Sequence, residues 1–263
     1  MSETILEVAN LSVRFGGLTA VDDVSFRVLE QSVHGLIGPN GAGKTTAFNL
    51  ISGLTPASAG RICLAGAPIE ALPSWSRARL GLSRTFQNIR MFREMSVLEN
   101  VMTGMHARLD ETFANVLARS SAFRRAEKSA GERAQEILAF VGLREMATQR
   151  GGDLSYGDQR RVEIARALAA QPRVLMLDEP AAGMNSSEKQ ALVDLLQRIK
   201  AQRTTILLVE HDMPFVMSLC DAITVLNFGR VIADGAPDAV RRDPNVIEAY
   251  LGAKLAGRLE RPQ

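Results

Sequence analysis

Cysteine is scarce: the chain holds only Cys63 and Cys220, far apart and in no C-x-x-C arrangement, which excludes a disulfide framework and the paired thiols of a zinc site. Two reduced thiols in a cytosolic protein are the expectation. Charge of one sign is also lacking, since 31 Lys plus Arg stand against 29 Asp plus Glu for a net +2. That balance supplies no strong field toward nucleic acid or anionic lipid. No run of about 18 apolar residues occurs. The opening MSETILEVANLSVRF carries an early acid and no apolar core of the signal-peptide kind, so any membrane role is expected to run through a partner. Internal repeats and low-complexity segments are absent as well. At 263 residues the chain has room for one α/β domain with a helical insertion, or for two small domains.

What is present begins with GPNGAGKTT: Gly38, Pro39, Asn40, Gly41, Ala42, Gly43, Lys44, Thr45 and Thr46 match G-x-x-x-x-G-K-[ST] at every fixed position. The glycines let the backbone curl so that successive N–H groups form a nest for phosphate oxygens. Lys44 adds a charge that can reach the β- and γ-phosphates, and the Thr45 hydroxyl can ligate Mg²⁺. The loop sits between an apolar run, Val33 to Ile37, and a helical stretch from Thr46 to Leu54, the order the motif requires. A GTPase would add an N-K-x-D base-reading motif, and none is present.

Residues from Ile5 to about Val28 alternate apolar and polar positions around Gly16-Gly17 and Asp22-Asp23, which reads as short antiparallel strands and turns, with Arg61 to Leu64 as another strand. Val174–Leu177, Ile206–Val209 and Ile223–Leu226 are almost wholly apolar, as expected of strands buried on both faces of a sheet. From about 88 to 153 the chain turns to Ala, Arg, Glu and Met with no strand signal, which reads as a helical subdomain. Its last helix places Ala134, Ile137, Leu138 and Val141 on one face before Gly142. The core is then expected over 1–87 and 154–255, with a loose tail at 256–263.

VLMLDEP ends an apolar strand on Asp178 and Glu179, at the end where α/β sheets build their sites. The first carboxylate is placed to hold Mg²⁺, and the second to accept a proton from a water attacking the γ-phosphate. LSYGDQRRVEIARAL, from Leu154 to Leu168, reads as a helix start, with Ser155 as cap, Asp158 completing a capping box and Val162, Ala165 and Leu168 as the apolar stripe.

This last segment resembles the signature motif of ATP-binding-cassette ATPases, and the rest of that family's set follows in order: Gln87 in RTFQN, the signature at 154–159, Asp178 and Glu179, and His211 in VEHDM. The resemblance implies a phosphate-loop NTPase cassette with a RecA-like mixed sheet, an antiparallel β subdomain and a helical subdomain, hydrolysing ATP with Mg²⁺. It implies that Ser155 and the Gly157 backbone bind the γ-phosphate of ATP held by an opposite subunit, at a helix N-terminus suited to anions. It also implies that His211 hydrogen-bonds the γ-phosphate, that Gln87 contacts Mg²⁺ or the water, and that Phe15 stacks on adenine. RFGGLTAVDDVSF, RTFQNIRMF, PAAGMN and DPNVIEAYLG are similar to the LivG-like ATPase subunits of branched-chain amino-acid importers. Asp158, Asn185 and Gln31-Ser32 depart from the common cassette pattern.

The partners so implied are transmembrane permeases, a second cassette (LivF-like, or a copy of this chain) and, indirectly, a solute-binding protein. The place implied is the cytoplasmic face of the cell membrane, with the isolated chain soluble. Lipopolysaccharide export and a soluble, non-transport cassette are the alternatives. Five arginines and no acid between Ser74 and Arg93 suit partner docking better than nucleic acid, since only Trp75, Phe86 and Phe92 supply aromatics.

Overall fold

The computed structural model describes residues 3–105 and 121–259. Part of the expected helical region, 106–120, and the end of the expected tail, 260–263, lie outside the described residues. The first two strands, β1 (Thr4–Phe15) and β2 (Leu18–Leu29), form a long hairpin turning at Gly16-Gly17. Asp22-Asp23 was expected to turn the chain, but both residues lie inside β2. Asp23 and Asn10 take positive φ, 56° and 52°, and the Asn10 amide donates to Asp23 Oδ1 at 2.8 Å. Short polar side chains tolerate that conformation, so the pair kinks a continuous ladder instead of ending it. With β4 (Ala59–Leu64) and β5 (Ala67–Pro68) these strands make a four-stranded antiparallel sheet, ordered β2-β1-β4-β5.

The second sheet is mixed. Its order is β10-β9-β3-β8-β7-β6, built from β3 (Val33–Ile37), β6 (Leu82–Arg84), β7 (Val174–Asp178), β8 (Thr205–Val209), β9 (Ala222–Asn227) and β10 (Arg230–Gly235). All pairs are parallel except β9 with β10. Every residue of β3, β7 and β8 is buried. Alternate side chains feed separate cores: Leu175, Leu177, Ile206 and Leu208 join one, and Val174, Met176, Leu207 and Val209 the other. Each such side chain contributes roughly 1.5–3 kcal/mol of burial, and the parallel register is held from both faces.

Helix α1 (Lys44–Ser52) follows β3, and α2 (Ser74–Arg79) precedes β6. The next described helices are α3 (Val97–Thr103), opened by a Ser96/Glu99 capping box, α4 (Ser121–Phe140) and α5 (Tyr156–Ala169). Ala134, Leu138 and Val141 are buried and Ile137 partly so, and Gly142 follows α4 at φ 77°. Helices α6 (Ser186–Ala201), α7 (Met213–Leu219), α8 (Pro237–Arg242) and α9 (Pro244–Leu259) complete the chain. The expected tail thus overlaps the end of α9. Asn185 caps α6 with Glu188 in a capping box. Gln31 takes the left-handed turn before β3, at φ 57°, its N–H donating to Thr205 Oγ1.

Two of the five arginines between Ser74 and Arg93 face inward. Arg77 is buried and donates to the Leu50 and Ile51 carbonyls, both at 2.7 Å, closing the C-terminal end of α1.

His34 of β3 is buried, stacks on Phe26 and meets Thr224 Oγ1 at 2.8 Å. The Thr224 hydroxyl gives its one proton to Asp234 Oδ1, so the ring is a neutral Nε2–H donor. Burial pushes its pKa down to about 4. Between that value and the ordinary 6.5 the unfolded chain binds the extra proton, so stability is lost as pH falls through this window. The expected loss is about 3 kcal/mol, and urea titrations of the native chain and His34→Gln should show the variant's slope over that window markedly flatter.

Two glycines give opposite expectations. A Cβ on Gly104 would stand 2.0 Å from the Arg166 carbonyl oxygen, whereas one on Gly131, inside α4, meets nothing within 4 Å among the described residues. Gly104→Ala is expected to cost about 2–4 kcal/mol and Gly131→Ala to add about 0.5–1 kcal/mol, both read from denaturant midpoints.

Candidate functional site

The apolar strand β3 delivers Gly38 at its carboxyl end, and the loop from Gly38 to Gly43 leads into α1. Gly43 is the N-cap, at φ 96°, with no side-chain cap, and the first turn holds no acid. Backbone N–H groups and the positive end of the helix dipole therefore face the cleft, as a polyphosphate requires. Lys44 Nζ donates to the Gly38 carbonyl at 2.7 Å and the Pro39 carbonyl at 2.9 Å. Burial draws the pKa of this ammonium down and the Glu179 carboxylate opposes it, so the cation of the loop and this acid already sense each other. The cleft above the loop, about 400 Å³, is lined by Gly41 to Thr46 and by Leu18, Thr19, Ala20, Phe228 and Gly229.

The parallel neighbours bring the other groups to the same edge. Asp178 ends β7, nearly inaccessible, with Oδ2 accepting from Arg84 Nη2 at 2.7 Å. Glu179 follows at φ 45°, unusual for a side chain of this size, with its N–H bonded to the Val209 carbonyl at 2.9 Å. That bond pins the turn to the end of β8. Glu179 Oε2 accepts from Gln87 Nε2 at 3.0 Å, and Glu179 Oε1 lies 3.7 Å from His211 Nδ1. The loop Gly38–Thr46 and the residues Gln87, Asp178, Glu179 and His211 thus gather at one sheet edge.

Other expected residues stand apart. The Ser155 side chain spends its hydrogen bonds on Asp158, and a Cβ on Gly157 would face Glu188. Ser155 Oγ accepts the Asp158 N–H at 3.2 Å, the expected cap. The reciprocal half of the expected capping box is missing: the Asp158 carboxylate, one methylene short of a glutamate, takes the Ser155 hydroxyl at 2.7 Å instead of its backbone N–H. Phe15 is half exposed at the hairpin end opposite Leu18. Leu18 and Phe228 supply the apolar lining of the cleft, and Phe15 is not among the lining residues.

Three buried residues were not anticipated. Glu210 accepts N–H groups from Ala181 at 2.9 Å and His211 at 3.1 Å, tying the loop after Glu179 to the loop that carries His211; burial raises its pKa. Arg160 is fully shielded, paired with Glu163, and donates to the Phe86 and Gln87 carbonyls at 2.7 and 2.8 Å, which fixes Gln87 from the signature helix α5. Arg84 is the third. A carboxylate directly after an apolar run, as Glu210 is after Ile206–Val209, is the one signal that could have drawn notice.

Such an arrangement can cradle a polyphosphate, hold a divalent cation and place a carboxylate beside an imidazole at the terminal phosphate. Residues 21–182 match the family profile described as ABC transporter, and residues 230–256 match one described as branched-chain amino acid ATP-binding cassette transporter. The chain is 48% identical over 253 residues to the high-affinity branched-chain amino acid transport ATP-binding protein BraF of Pseudomonas aeruginosa, covering 96% of this chain and 99% of that one. It is 46% identical over the same length and shares to the corresponding LivG protein of Escherichia coli. Among solved structures, the ADP conformation of an ATP-binding cassette of an ABC transporter superposes with a TM-score of 0.84 at 33% identity, over 95% of this chain and all of that one.

Proposed function

Because the chain belongs to the ATP-binding-cassette family of transporter ATP-binding proteins, we propose that it is the ATP-hydrolysing subunit of an importer for branched-chain amino acids. The observation that carries this reading is the convergence of the phosphate loop, Asp178, Glu179 and His211 at one sheet edge. The match of 230–256 to a branched-chain amino acid profile favours import over lipopolysaccharide export.

The loop amides, the N-terminus of α1 and Lys44 neutralise the phosphates, with Lys44 exchanging its carbonyl partners for phosphate oxygens. Glu179, held by Gln87 and 3.7 Å from His211, accepts the proton of the attacking water, and His211 orients that water against the γ-phosphate. The donor set Thr45, Gln87 and Asp178 offers a hydroxyl, an amide carbonyl and a carboxylate, hard oxygens that suit Mg²⁺. No cluster of three or more His, Cys, Asp or Glu that could hold a metal occurs among the described residues. When bound, the ion would offset charge on the β- and γ-phosphates.

Ser155 and Gly157, whose neighbours are Asp158 and Glu188, fit a site completed by a second cassette, LivF-like or identical. We read 1–87 and 154–255 as the core, and the described residues of 88–153, which include α3 and α4, as the helical subdomain. A groove lined by Trp75, Phe86 and Thr103 receives a cytoplasmic helix of the permease, and a solute-binding protein selects the cargo. No described helix is long and apolar enough to cross a membrane, and the chain works at the cytoplasmic face through those permeases.

Two variants test the assignment together. Glu179→Gln is expected to keep ATP binding while phosphate release falls roughly 10²–10⁴-fold, whereas Lys44→Ala weakens binding of a fluorescent ATP analogue itself. Near-native release by Glu179→Gln in the assembled transporter would overturn the mechanism.

A further inference from the structure

Arg84 ends β6 and is almost wholly shielded from solvent. One guanidinium nitrogen, Nη2, donates to Asp178 Oδ2 at 2.7 Å. The other, Nη1, donates to Asn49 Oδ1 at 2.7 Å and Ser52 Oγ at 2.8 Å, both on the helix that the phosphate loop opens. A planar fork of this kind sets the carboxylate and α1 in one geometry, which the single ammonium of a lysine cannot do. Burial draws the pKa of the guanidinium down, and the ion pair with Asp178 opposes that shift; the cation stays charged.

The same side chain faces outward contacts. Its guanidinium carbon lies 4.9 Å from the ring centre of Phe48 and 5.4 Å from that of Phe86, and Phe86 carries Arg90 at 4.4 Å as well. Arg84 and Phe86 both line the groove of about 360 Å³ that also holds Trp75, Thr103 and Glu163. From the groove to Asp178 there are therefore two steps, Phe86 to Arg84 and Arg84 to the carboxylate. This route is separate from the contact of Gln87 with Glu179.

We infer that Arg84 is a positioning residue for Asp178 and that, through Phe86, it couples the groove to the nucleotide site. Displacing the Phe86 ring moves the guanidinium, and Asp178 moves with it. Linkage makes the effect reciprocal, so nucleotide at the site alters the groove wall. The inference rests on the reading of this edge as the ATP site.

Trp75 is the only tryptophan in the chain and stands exposed on the groove wall, so its emission reports the groove. The purified full chain is titrated with ATP and magnesium while Trp75 emission is recorded, and nucleotide affinity is measured separately by competition with a fluorescent ATP analogue. The native chain is expected to show an emission change with the midpoint of binding. Phe86→Leu leaves the Arg84–Asp178 pair and the phosphate loop in place; it is expected to bind within about threefold of native affinity and to lose most of the emission change. Arg84→Lys keeps the charge but not the fork and is expected to lose the emission change and, because Asp178 is no longer held, to weaken nucleotide affinity as well. Should Arg84→Lys fail to fold, Phe86→Leu decides alone. A native chain that binds ATP with no emission change, or a Phe86→Leu chain that keeps the full change, overturns the coupling. A native chain that binds no nucleotide in the competition assay overturns the ATPase reading, and the coupling with it.

Discussion

At Gly38 the phosphate loop runs so close to β9 that a Cβ there would stand 2.1 Å from the Leu226 carbonyl oxygen. At Gly43 the same atom would lie 2.5 Å from the Ala20 carbonyl oxygen of β2, with φ at 96°. No rotamer relieves a backbone clash of this kind. The loop is thus wedged between two sheets. Gly229, in the β9–β10 turn, donates to the Ala42 carbonyl at 3.0 Å and accepts from Asp22 at 2.8 Å, so one residue sews the loop to both. A cradle built from backbone N–H groups serves an anion only if it holds its shape before the anion arrives, and that close backbone packing supplies the shape.

The remaining chemistry depends on register. Strand β8 pairs with β3 on one side and β7 on the other, Leu36 opposite Val209 and Asp178 opposite Val209. The carboxyl ends of the three strands therefore stop at one level, which sets the phosphate loop, the Asp178–Glu179 turn and the His211 loop side by side. Two apolar cores, one on each face of the sheet, oppose any slip. Glu210 and the Glu179 N–H then lock the exit loops together. Glu179 held at positive φ is a local cost that this surrounding order sustains.

Much of this was legible in the sequence wherever chemistry is local or patterning continuous. GPNGAGKTT declares its loop because the glycines and Lys44 act through backbone shape and one charge. The all-apolar runs ending at Leu177, Val209 and Leu226 declare strands buried on both faces. Strand β6 was not legible: three residues ending in an arginine carry no period. Strand β10 hid because an edge strand half open to water shows no clean alternation. Burial of Arg77 and Arg84 was also invisible, since a solvated arginine and one forked onto carbonyls or a carboxylate are the same letter. Asp158 shows the limit of motif reasoning, as the spacing of a capping box was present but the side chain was one methylene too short to close it.

One sheet edge is proposed to hold the terminal phosphate between Lys44, Glu179 and His211. The most direct measurement is a crystal structure of the Glu179→Gln chain with ATP and magnesium. The triphosphate is expected to be wrapped by the loop from Gly38 to Thr46, with the γ-phosphate within hydrogen-bond distance of Lys44 Nζ and the His211 ring, and with Ser155 of another cassette facing it. ATP lodged elsewhere, or seated in the loop with Lys44 still bonded to the Gly38 and Pro39 carbonyls and His211 turned away, would contradict it.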